Sequence, residues 1–253
     1  MLTAKKLFHL HRYALILILA LTAVTGCQRA PRVQPETEIP GYAAELVFED
    51  NFDKDLSHWT IEGPGQAIIT EDQRLQLLED SLGQGMALWS KSIYDGSFML
   101  ECEIDFPSSD GTMALFICSV PTDGSNWADA AADRSGALAD YIETINSYQV
   151  DVHCYTPEGV HDAGSKLRKN QGHYMLGRST TDPCKANRFY LINFAKTGNR
   201  LQFFVDNEKI HDLRDRGGFS PVLKEGHIGL WIHGAPGFTA FIDNIRVFKL
   251  NPR

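Results

Sequence analysis

Hydrophobic and polar residues alternate with a period of two along most of the chain from residue 43 onward. Such alternation predicts β-strands with one apolar face, and turn-type sequences such as TEDQR, SSDG and KTGN separate the segments. Residues 126–139, NWADAAADRSGALA, instead favour a short helix or a loop that crosses the sheet. Strands are predicted at 45–49, 67–70, 75–78, 86–90, 98–106, 112–120, 148–155, 189–195, 201–205, 228–232 and 239–248. The pattern predicts a single all-β domain over residues 43–253, built as an antiparallel β-sandwich.

The N-terminal segment lacks this alternation and predicts an export signal. Three basic residues precede an uncharged apolar run over residues 13–24, as in a secretory signal peptide. The sequence VTGC that follows resembles the bacterial lipoprotein cleavage box. We therefore expect removal of residues 1–26 and lipidation of Cys27.

The lipid is expected to be the protein's contact with the membrane. Several acyl chains hold a protein durably, whereas a single chain binds only reversibly. Gln28 follows the cysteine, and the absence of an aspartate there favours the outer membrane. Residues 27–42 are rich in proline and poor in apolar side chains, which predicts a flexible tether.

The net charge of the chain after signal removal indicates which class of binding partner is unsuitable. Signal removal takes three of the 24 cationic residues and none of the 32 acidic ones, so the net charge becomes 21 minus 32, or −11. Nucleic acid is therefore an unsuitable partner.

Cys102, Cys118, Cys154 and Cys184 permit disulfides in an oxidising compartment, but buried free thiols are an equal alternative.

The strand at 98–106, FMLECEIDF, places three carboxylates on one face. Its apolar residues share the opposite face, which leaves Glu101, Glu103 and Asp105 aligned roughly 7 Å apart. At that spacing one carboxylate can raise the pKa of its neighbour, as a glycosidase acid and base require. A solvated sheet face is the alternative interpretation.

Two further strands carry a polar face of mixed chemistry. In YQVDVHCY, alternation places Cys154 with the apolar residues and Gln149, Asp151, His153 and Tyr155 opposite them. In HIGLWIHG, alternation places Trp231 and His233 opposite the apolar residues. Trp231 would then offer a stacking surface for a sugar ring. We expect these polar faces and the carboxylates to line one groove.

Several motifs together resemble a known family. The sequences WTIEGPGQ, FMLECEIDF, SYQVDVHCY and, above all, LRKNQGHYMLGRSTTDP resemble the YesU-like family of uncharacterised bacterial domains, domain of unknown function 1961. The resemblance spans most of residues 45–250 and implies a concanavalin A-like jelly-roll fold. It also implies a role in the use of polysaccharides, notably pectin-type and other uronate-containing glycans.

The stretch GSKLRKNQGHYMLG at 164–177 concentrates cations in an acidic chain and is expected to form a loop over the sheet edge. Surface pairing with the protein's own carboxylates is one interpretation. Recognition of a uronate carboxylate or a sulfate, which the arginine fork binds bidentately, is the alternative. It is favoured because the stretch coincides with the most specific motif of the family that the chain resembles. The residues expected to bind the glycan here are Arg168, Lys169, Asn170, His173 and Arg178.

Three activities remain open for such a groove. A lyase would use Arg168 or Gln149 to neutralise the uronate and His153 or Tyr155 to exchange protons. A hydrolase would use Glu101 and Glu103 on a neutral sugar. A binding protein would only capture the glycan. None of these requires a cofactor, although Glu49, Asp50 and Asp243 are candidates for a structural calcium site near the paired chain ends.

Overall fold

Two antiparallel sheets of eight strands each face one another in the computed structural model, which describes residues 33–80, 84–162 and 164–253. The strands are β1 (Tyr42–Asp50), β2 (Trp59–Glu62), β3 (Gly65–Ile69), β4 (Leu75–Glu79), β5 (Met86–Ser90), β6 (Tyr94–Asp95), β7 (Phe98–Asp105), β8 (Gly111–Pro121), β9 (Ile145–Cys154), β10 (Lys166–Asn170), β11 (Tyr174–Arg178), β12 (Phe189–Thr197), β13 (Arg200–Val205), β14 (Glu208–Arg214), β15 (Glu225–Gly234) and β16 (Thr239–Pro252). Two short helices, α1 (Trp127–Ala131) and α2 (Leu138–Thr144), lie between β8 and β9.

The two sheets differ in their strand order. The back sheet runs β14-β13-β12-β7-β16-β4-β3, with β1 paired to β16. The front sheet runs β11-β10-β9-β8-β15-β5-β2, with β6 paired to β15. Consecutive strands are neighbours in β12–β14 and in β8–β11. The central pairs β7 with β16, β16 with β4, β8 with β15 and β15 with β5 instead join strands distant in sequence, as expected when a jelly roll winds the chain between its two sheets. The predicted all-β jelly-roll sandwich of two antiparallel sheets is confirmed.

The main core lies between the sheets and follows from the alternation in the sequence. Leu100 and Ile104 of β7 pack in one buried cluster with Leu115 of β8 and Val150 of β9. Each apolar side chain buried in this way contributes roughly 1.5–3 kcal/mol relative to exposure. The polar residues that alternate with them are therefore forced to the outer faces of the two sheets.

The predicted strands are all present, with small shifts at their ends. Sequence alternation missed β2, β6, β10, β11 and β14, which are short or carry charged residues on both faces. The alanine-rich stretch forms α1 and the start of α2. All four cysteines of the described chain, Cys102, Cys118, Cys154 and Cys184, are buried free thiols.

The described part of the N-terminal segment packs against the back sheet. Ile39 is buried in a second apolar cluster on the outer face of that sheet, together with Met99 and Phe248. Thr37 is also buried, and its hydroxyl donates to Asn193 Oδ1. The sequence predicts a flexible tether over Thr37 and Ile39, whereas both are buried. The predicted signal at residues 1–26 and the lipidated Cys27 lie outside the described residues, and none of the helices described is both long and apolar enough to span a membrane.

Candidate functional site

A cleft of about 570 Å³ lies on the outer face of the front sheet. Its lining comes from β8, β9, β10, β15 and the start of α2, and from the segments that precede β5, follow β9, precede α2 and join β10 to β11. Seven residues predicted from the sequence to act on or bind a glycan line this cleft: Gln149, Asp151, Tyr155, Arg168, His173, Trp231 and His233. The expectation that polar residues from separate strands meet in one groove therefore holds for the front sheet.

A chain of hydrogen bonds connects β9 and β10 on the cleft floor. Asn170 Nδ2 donates to Gln149 Oε1 at 3.2 Å, and Gln149 Nε2 donates to Asp151 Oδ1 at 3.1 Å. Asp151 Oδ2 in turn accepts from Arg168 Nη1 at 2.7 Å. The Arg168 and Asp151 side chains are 12% and 13% exposed. The network fixes Arg168 and leaves its remaining N–H groups without a hydrogen bond to the described residues.

The basic stretch forms the β10–β11 hairpin, not the loop expected from its glycines. Within it, Arg168 pairs with Gln149 of β9, while Lys169 pairs with Tyr148. Because neighbours in a strand point to opposite faces, Lys169 lies beneath the sheet. Its Nζ donates to Asp215 Oδ2 at 2.5 Å, and both side chains are buried. The prediction that Lys169 binds glycan is wrong.

Two further residues of the hairpin, Lys166 and His173, line the Arg168 end of the cleft. Lys166 lines the cleft and its Nζ donates to Asp162 Oδ2 at 2.5 Å. His173 also lines it, and burial together with the nearby charge of Arg168 lowers the pKa of the imidazole. Asn170 is buried in the network described above, and Arg178 is exposed at the end of β11.

A β-bulge removes His153 from the cleft. In the pairing of β8 with β9, Ala114 faces Asp151, whereas Met113, the residue before it, faces His153. Val152 therefore has no partner on β8 and is an extra residue in β9. The insertion reverses the alternation. His153 therefore points into the core, and Cys154, expected inside, lines the cleft.

The surroundings of His153 are those of a structural residue. Its ring stacks on Phe106 with centroids 4.2 Å apart. Nδ1 lies 2.6 Å from Cys184 O, and Nε2 lies 3.2 Å from Ser108 O. A neutral imidazole has one N–H, and the shorter contact assigns it to Nδ1. Burial lowers the pKa of His153. The prediction that His153 exchanges protons with substrate is wrong.

Tyr155 remains at the cleft, just beyond the end of β9. Its hydroxyl donates to Asp182 Oδ2 at 2.5 Å. This hydrogen bond to a carboxylate raises the pKa of Tyr155 to about 12. The phenol is therefore protonated at neutral pH.

Trp231 lies on the cleft face of β15, but the residue is only 3% exposed. Its Nε1 donates to Gly136 O at 2.8 Å. Gly85 packs against the ring so closely that a Cβ there would lie 2.7 Å from Nε1, and a Cβ on Gly136 would lie 2.5 Å from Gly63 Cα. Glycines thus let the chain cover the indole. The ring forms part of the cleft floor and does not offer the open stacking surface expected from the sequence.

His233 forms a dyad with a carboxylate of the other sheet. Its Nδ1 lies 2.9 Å from Glu79 Oε1, and a carboxylate can only accept, so Nδ1 carries the proton. Glu79 is buried and also accepts from the backbone N–H groups of Gly85 and Gly234, at 2.8 and 2.6 Å. The hydrogen bond to Glu79 raises the pKa of His233, whose side chain is 31% exposed.

The predicted carboxylate pair is not part of this site. Glu101 and Glu103 belong to β7 in the back sheet, on the face that also carries Met99. Glu101 is buried beneath the N-terminal segment, where it pairs with Arg246 at 3.0 Å and accepts from Asn193 Nδ2 at 2.7 Å. A hydrolase that uses Glu101 and Glu103 in the same groove as Arg168 is excluded by this placement.

The predicted calcium ligands have other roles. Asp50 accepts from Trp59 Nε1 at 2.8 Å and from the Phe52 backbone at 2.9 Å. Asp243 faces Glu103 across β16 and β7, and burial raises its pKa. Neither these residues nor Glu49 join a metal-binding cluster, because no group of three or more His, Cys, Asp or Glu side chains suited to a metal occurs within residues 33–80, 84–162 and 164–253.

Sequence reasoning missed Glu79, Asp182 and Lys166. Lys166 could have been found, since it lies two residues before Arg168 and so shares its face. Glu79 and Asp182 could not, because each reaches its partner from another strand or loop and neither belongs to a polar row.

Residues 45–244 match the family described as "Domain of unknown function (DUF1961)". The chain belongs to this family. The DUF1961 resemblance expected from the LRKN region is thereby confirmed. No curated protein matches the chain.

Solved structures show the same architecture as this DUF1961 chain. A protein of unknown function with a galectin-like fold from Bacillus subtilis has a TM-score of 0.74 at 20% identity, covering 84% of this chain and all of its own. The carbohydrate-binding module CBM66 from Bacillus subtilis has a TM-score of 0.50 at 20% identity, covering 74% of this chain and 93% of its own. The VIP36 exoplasmic/lumenal domain bound to Ca²⁺ and Man3GlcNAc has a TM-score of 0.56 at 13% identity, covering 83% and 92%. At these identities the likeness shows the fold alone.

Proposed function

We propose that this protein is a lipid-anchored envelope protein that binds an acidic oligosaccharide, carrying uronate or sulfate groups, in the front-sheet cleft. The observation that carries the proposal is Arg168, which lines the cleft and is held there by Asp151. Arginine offers five N–H donors in a planar fork, and Asp151 engages only one nitrogen of it. The others are available to a ligand carboxylate or sulfate.

The surroundings of Arg168 support an anionic ligand. Lys166 and His173 line the same end of the cleft and add donors from the same hairpin. Gln149 adds an amide that the β9–β10 network holds in place. The cleft volume of about 570 Å³ lies within the range typical of small-molecule sites.

The structural neighbours support a saccharide as the ligand class. One is named a carbohydrate-binding module, and another is bound to the saccharide Man3GlcNAc. Identities of 20% and 13% transfer no residue roles to this chain, so the neighbours support the ligand class alone.

The envelope location is proposed from the N-terminal sequence. The apolar run and the VTGC box favour cleavage before Cys27 and a lipid on that residue, and Gln28 favours the outer membrane. Fractionation of cells that produce the full chain tests this. The native protein should follow the membranes, and Cys27→Ser should move to the soluble fraction. An unchanged membrane fraction would contradict the lipid anchor.

Affinity electrophoresis and calorimetry test the ligand class. The probes are polygalacturonate, alginate, hyaluronan and chondroitin sulfate, with neutral starch and galactomannan as comparators. We expect binding to at least one acidic polymer and a loss of about tenfold or more in Arg168→Ala, because a charge-assisted bond contributes about 1.5–3 kcal/mol. Arg200→Ala is the matched control, since Arg200 pairs with Asp212 in the back sheet. Equal affinity of Arg168→Ala and the native protein would overturn the proposal.

A further inference from the structure

We infer that His233, oriented by Glu79, is the general base of a β-elimination that cleaves the acidic glycan bound in the cleft. This inference rests on the proposed function, because it takes a uronate as the reacting sugar. It adds a reaction and assigns His233 a catalytic role and Glu79 a positioning role.

The dyad has the geometry of a base held by a carboxylate. Glu79 is fixed by two backbone N–H donors and by His233 itself, so it can hold the imidazole in one tautomer. With the proton on Nδ1, the lone pair lies on Nε2, which has no hydrogen bond to the described residues. The ring is partly exposed and lines the cleft. A carboxylate placed in this way stabilises the imidazolium that forms when Nε2 takes a proton.

A second proton-transfer group lies across the cleft floor. His233 pairs with Thr112, and Thr112 pairs with Cys154. Strands β15 and β9 are therefore two strand spacings apart, roughly 10 Å in total. Tyr155 follows Cys154, and its backbone N–H donates to Gly111 O. A sugar unit over Thr112 would lie between His233 and Tyr155.

The position of Arg168 sets a minimum length for the ligand. Across the front sheet, Arg168 pairs with Gln149, Gln149 with Phe116, and Phe116 with Gly229 of β15. Arg168 is therefore three strand spacings, roughly 14 Å, from β15. Gly229 is itself four residues before His233. Arg168 therefore binds a different sugar unit from the one at His233, and the substrate is an oligomer. Gln84, next to the Gly85 that donates to Glu79, lines the end near His233 and offers an amide to the reacting carboxylate.

The reaction balances with these groups alone. His233 Nε2 takes the proton from C5 of the uronate, and the C5–H electron pair forms the C4–C5 double bond as the bond from C4 to the glycosidic oxygen breaks. That oxygen takes the hydroxyl proton of Tyr155, which leaves its hydrogen bond to Asp182 for the departing alkoxide, because an alkoxide is a stronger base than the phenolate. The products are an unsaturated uronate end and a free hydroxyl, and solvent returns the proton from His233 to Tyr155.

The test measures ultraviolet absorbance of unsaturated uronate ends, with binding followed on the same samples. Native protein should release such ends from at least one of polygalacturonate, alginate, hyaluronan and chondroitin sulfate. His233→Ala should lower kcat about 10²- to 10⁴-fold while changing affinity less than threefold. Tyr155→Phe should also lower kcat strongly. His58→Ala is the matched control, since His58 is exposed outside the cleft, and it should match the native protein.

Glu79→Gln gives a signature that a purely structural role would not produce. Activity of a neutral histidine base rises with pH through the pKa of His233. Glu79 is the charged group that faces His233 and raises its pKa. Glu79→Gln should therefore move the rising limb of the pH–activity profile to lower pH and reduce kcat. Thermal unfolding checks that this buried substitution folds. An unmoved limb would overturn the role of Glu79.

The outcomes separate this inference from the proposed function. Glycan binding without unsaturated ends from any of the four polymers overturns the elimination and leaves the binding proposal standing. Full activity in His233→Ala also overturns it. Absence of binding to every acidic polymer overturns both.

Discussion

Strands β7 and β9 look alike in sequence but have opposite roles in the molecule. Each alternates apolar residues with polar ones, and each presents polar residues before its end on the outer face of its sheet. On β9, Gln149 and Asp151 face an open cleft. On β7, Glu101 is buried beneath the segment around Glu36, whose backbone N–H donates to Glu101 Oε2.

The difference shows that an outer sheet face is not always a solvent face. The back sheet adds apolar residues to its polar row, such as Met99 and Phe248, and the N-terminal segment covers them. The front sheet is covered only in part, where α2 packs with Trp231 in a third cluster. What covers a face therefore decides whether its carboxylates become structural ion pairs or ligand contacts.

Arg168 and Lys169 repeat this contrast between adjacent residues, and substitution there should have the largest effect on stability. Lys169→Met would leave Asp215 buried without its cation, at a cost of about 3–5 kcal/mol, with glycan binding unchanged. Urea denaturation measures this. Lys54→Met is the exposed control, and adding Asp215→Asn to Lys169→Met should recover part of the loss. A Lys169→Met protein of native stability would contradict the burial of this pair.

The same pair predicts the acid limit of stability. Burial by itself would raise the pKa of Asp215, but hydrogen bonds from Lys169 and Tyr148 lower it on balance. A carboxyl with a lowered pKa stabilises the fold above its ordinary value of about 3.8 and loses that contribution as the pH falls. Native protein should therefore lose stability below about pH 4, and Lys169→Met should lose less over the same range.

Arg246→Ala tests the covered face of the back sheet and should have an intermediate effect. It removes the cation of Glu101 but leaves the hydrogen bonds from Asn193 and Glu36, so the expected loss is about 1–3 kcal/mol. Affinity for glycan should not change, in contrast to Arg168→Ala. Weaker glycan binding in Arg246→Ala at native stability would mean that the back sheet takes part in recognition.

His153→Phe should have the smallest effect, visible in the pH dependence of stability. Burial lowers the pKa of His153 in the folded protein, so the unfolded chain binds more protons below its ordinary pKa of about 6.5. Stability contributed by the neutral ring is therefore lost as the pH falls below that value. The variant should show a shallower loss between pH 7 and 5, with glycan binding unchanged. A matching slope in both proteins would refute this account of His153.

The sequence was sufficient for the fold and for part of the site. Alternation identified the longer strands and assigned Gln149 and Asp151 correctly to an outer face, because the period of two is a local property of the chain. It failed at His153, where one inserted residue, Val152, reverses the alternation without leaving a mark in the residue types. It also failed at the β10–β11 hairpin. The glycines there indicated a loop, but the segment forms two strands, and the adjacent side chains of Arg168 and Lys169 point to opposite faces of the sheet.

By itself, the sequence determined that this chain forms an antiparallel sandwich and that certain strands have a polar side, since both follow from spacing along the backbone. Only the tertiary structure decided which polar side is covered, that Glu79 reaches His233 from the other sheet, and that Glu101 and Arg168 lie on opposite faces. These facts depend on contacts between residues far apart in the chain, and such contacts are set by the packing of the sheets.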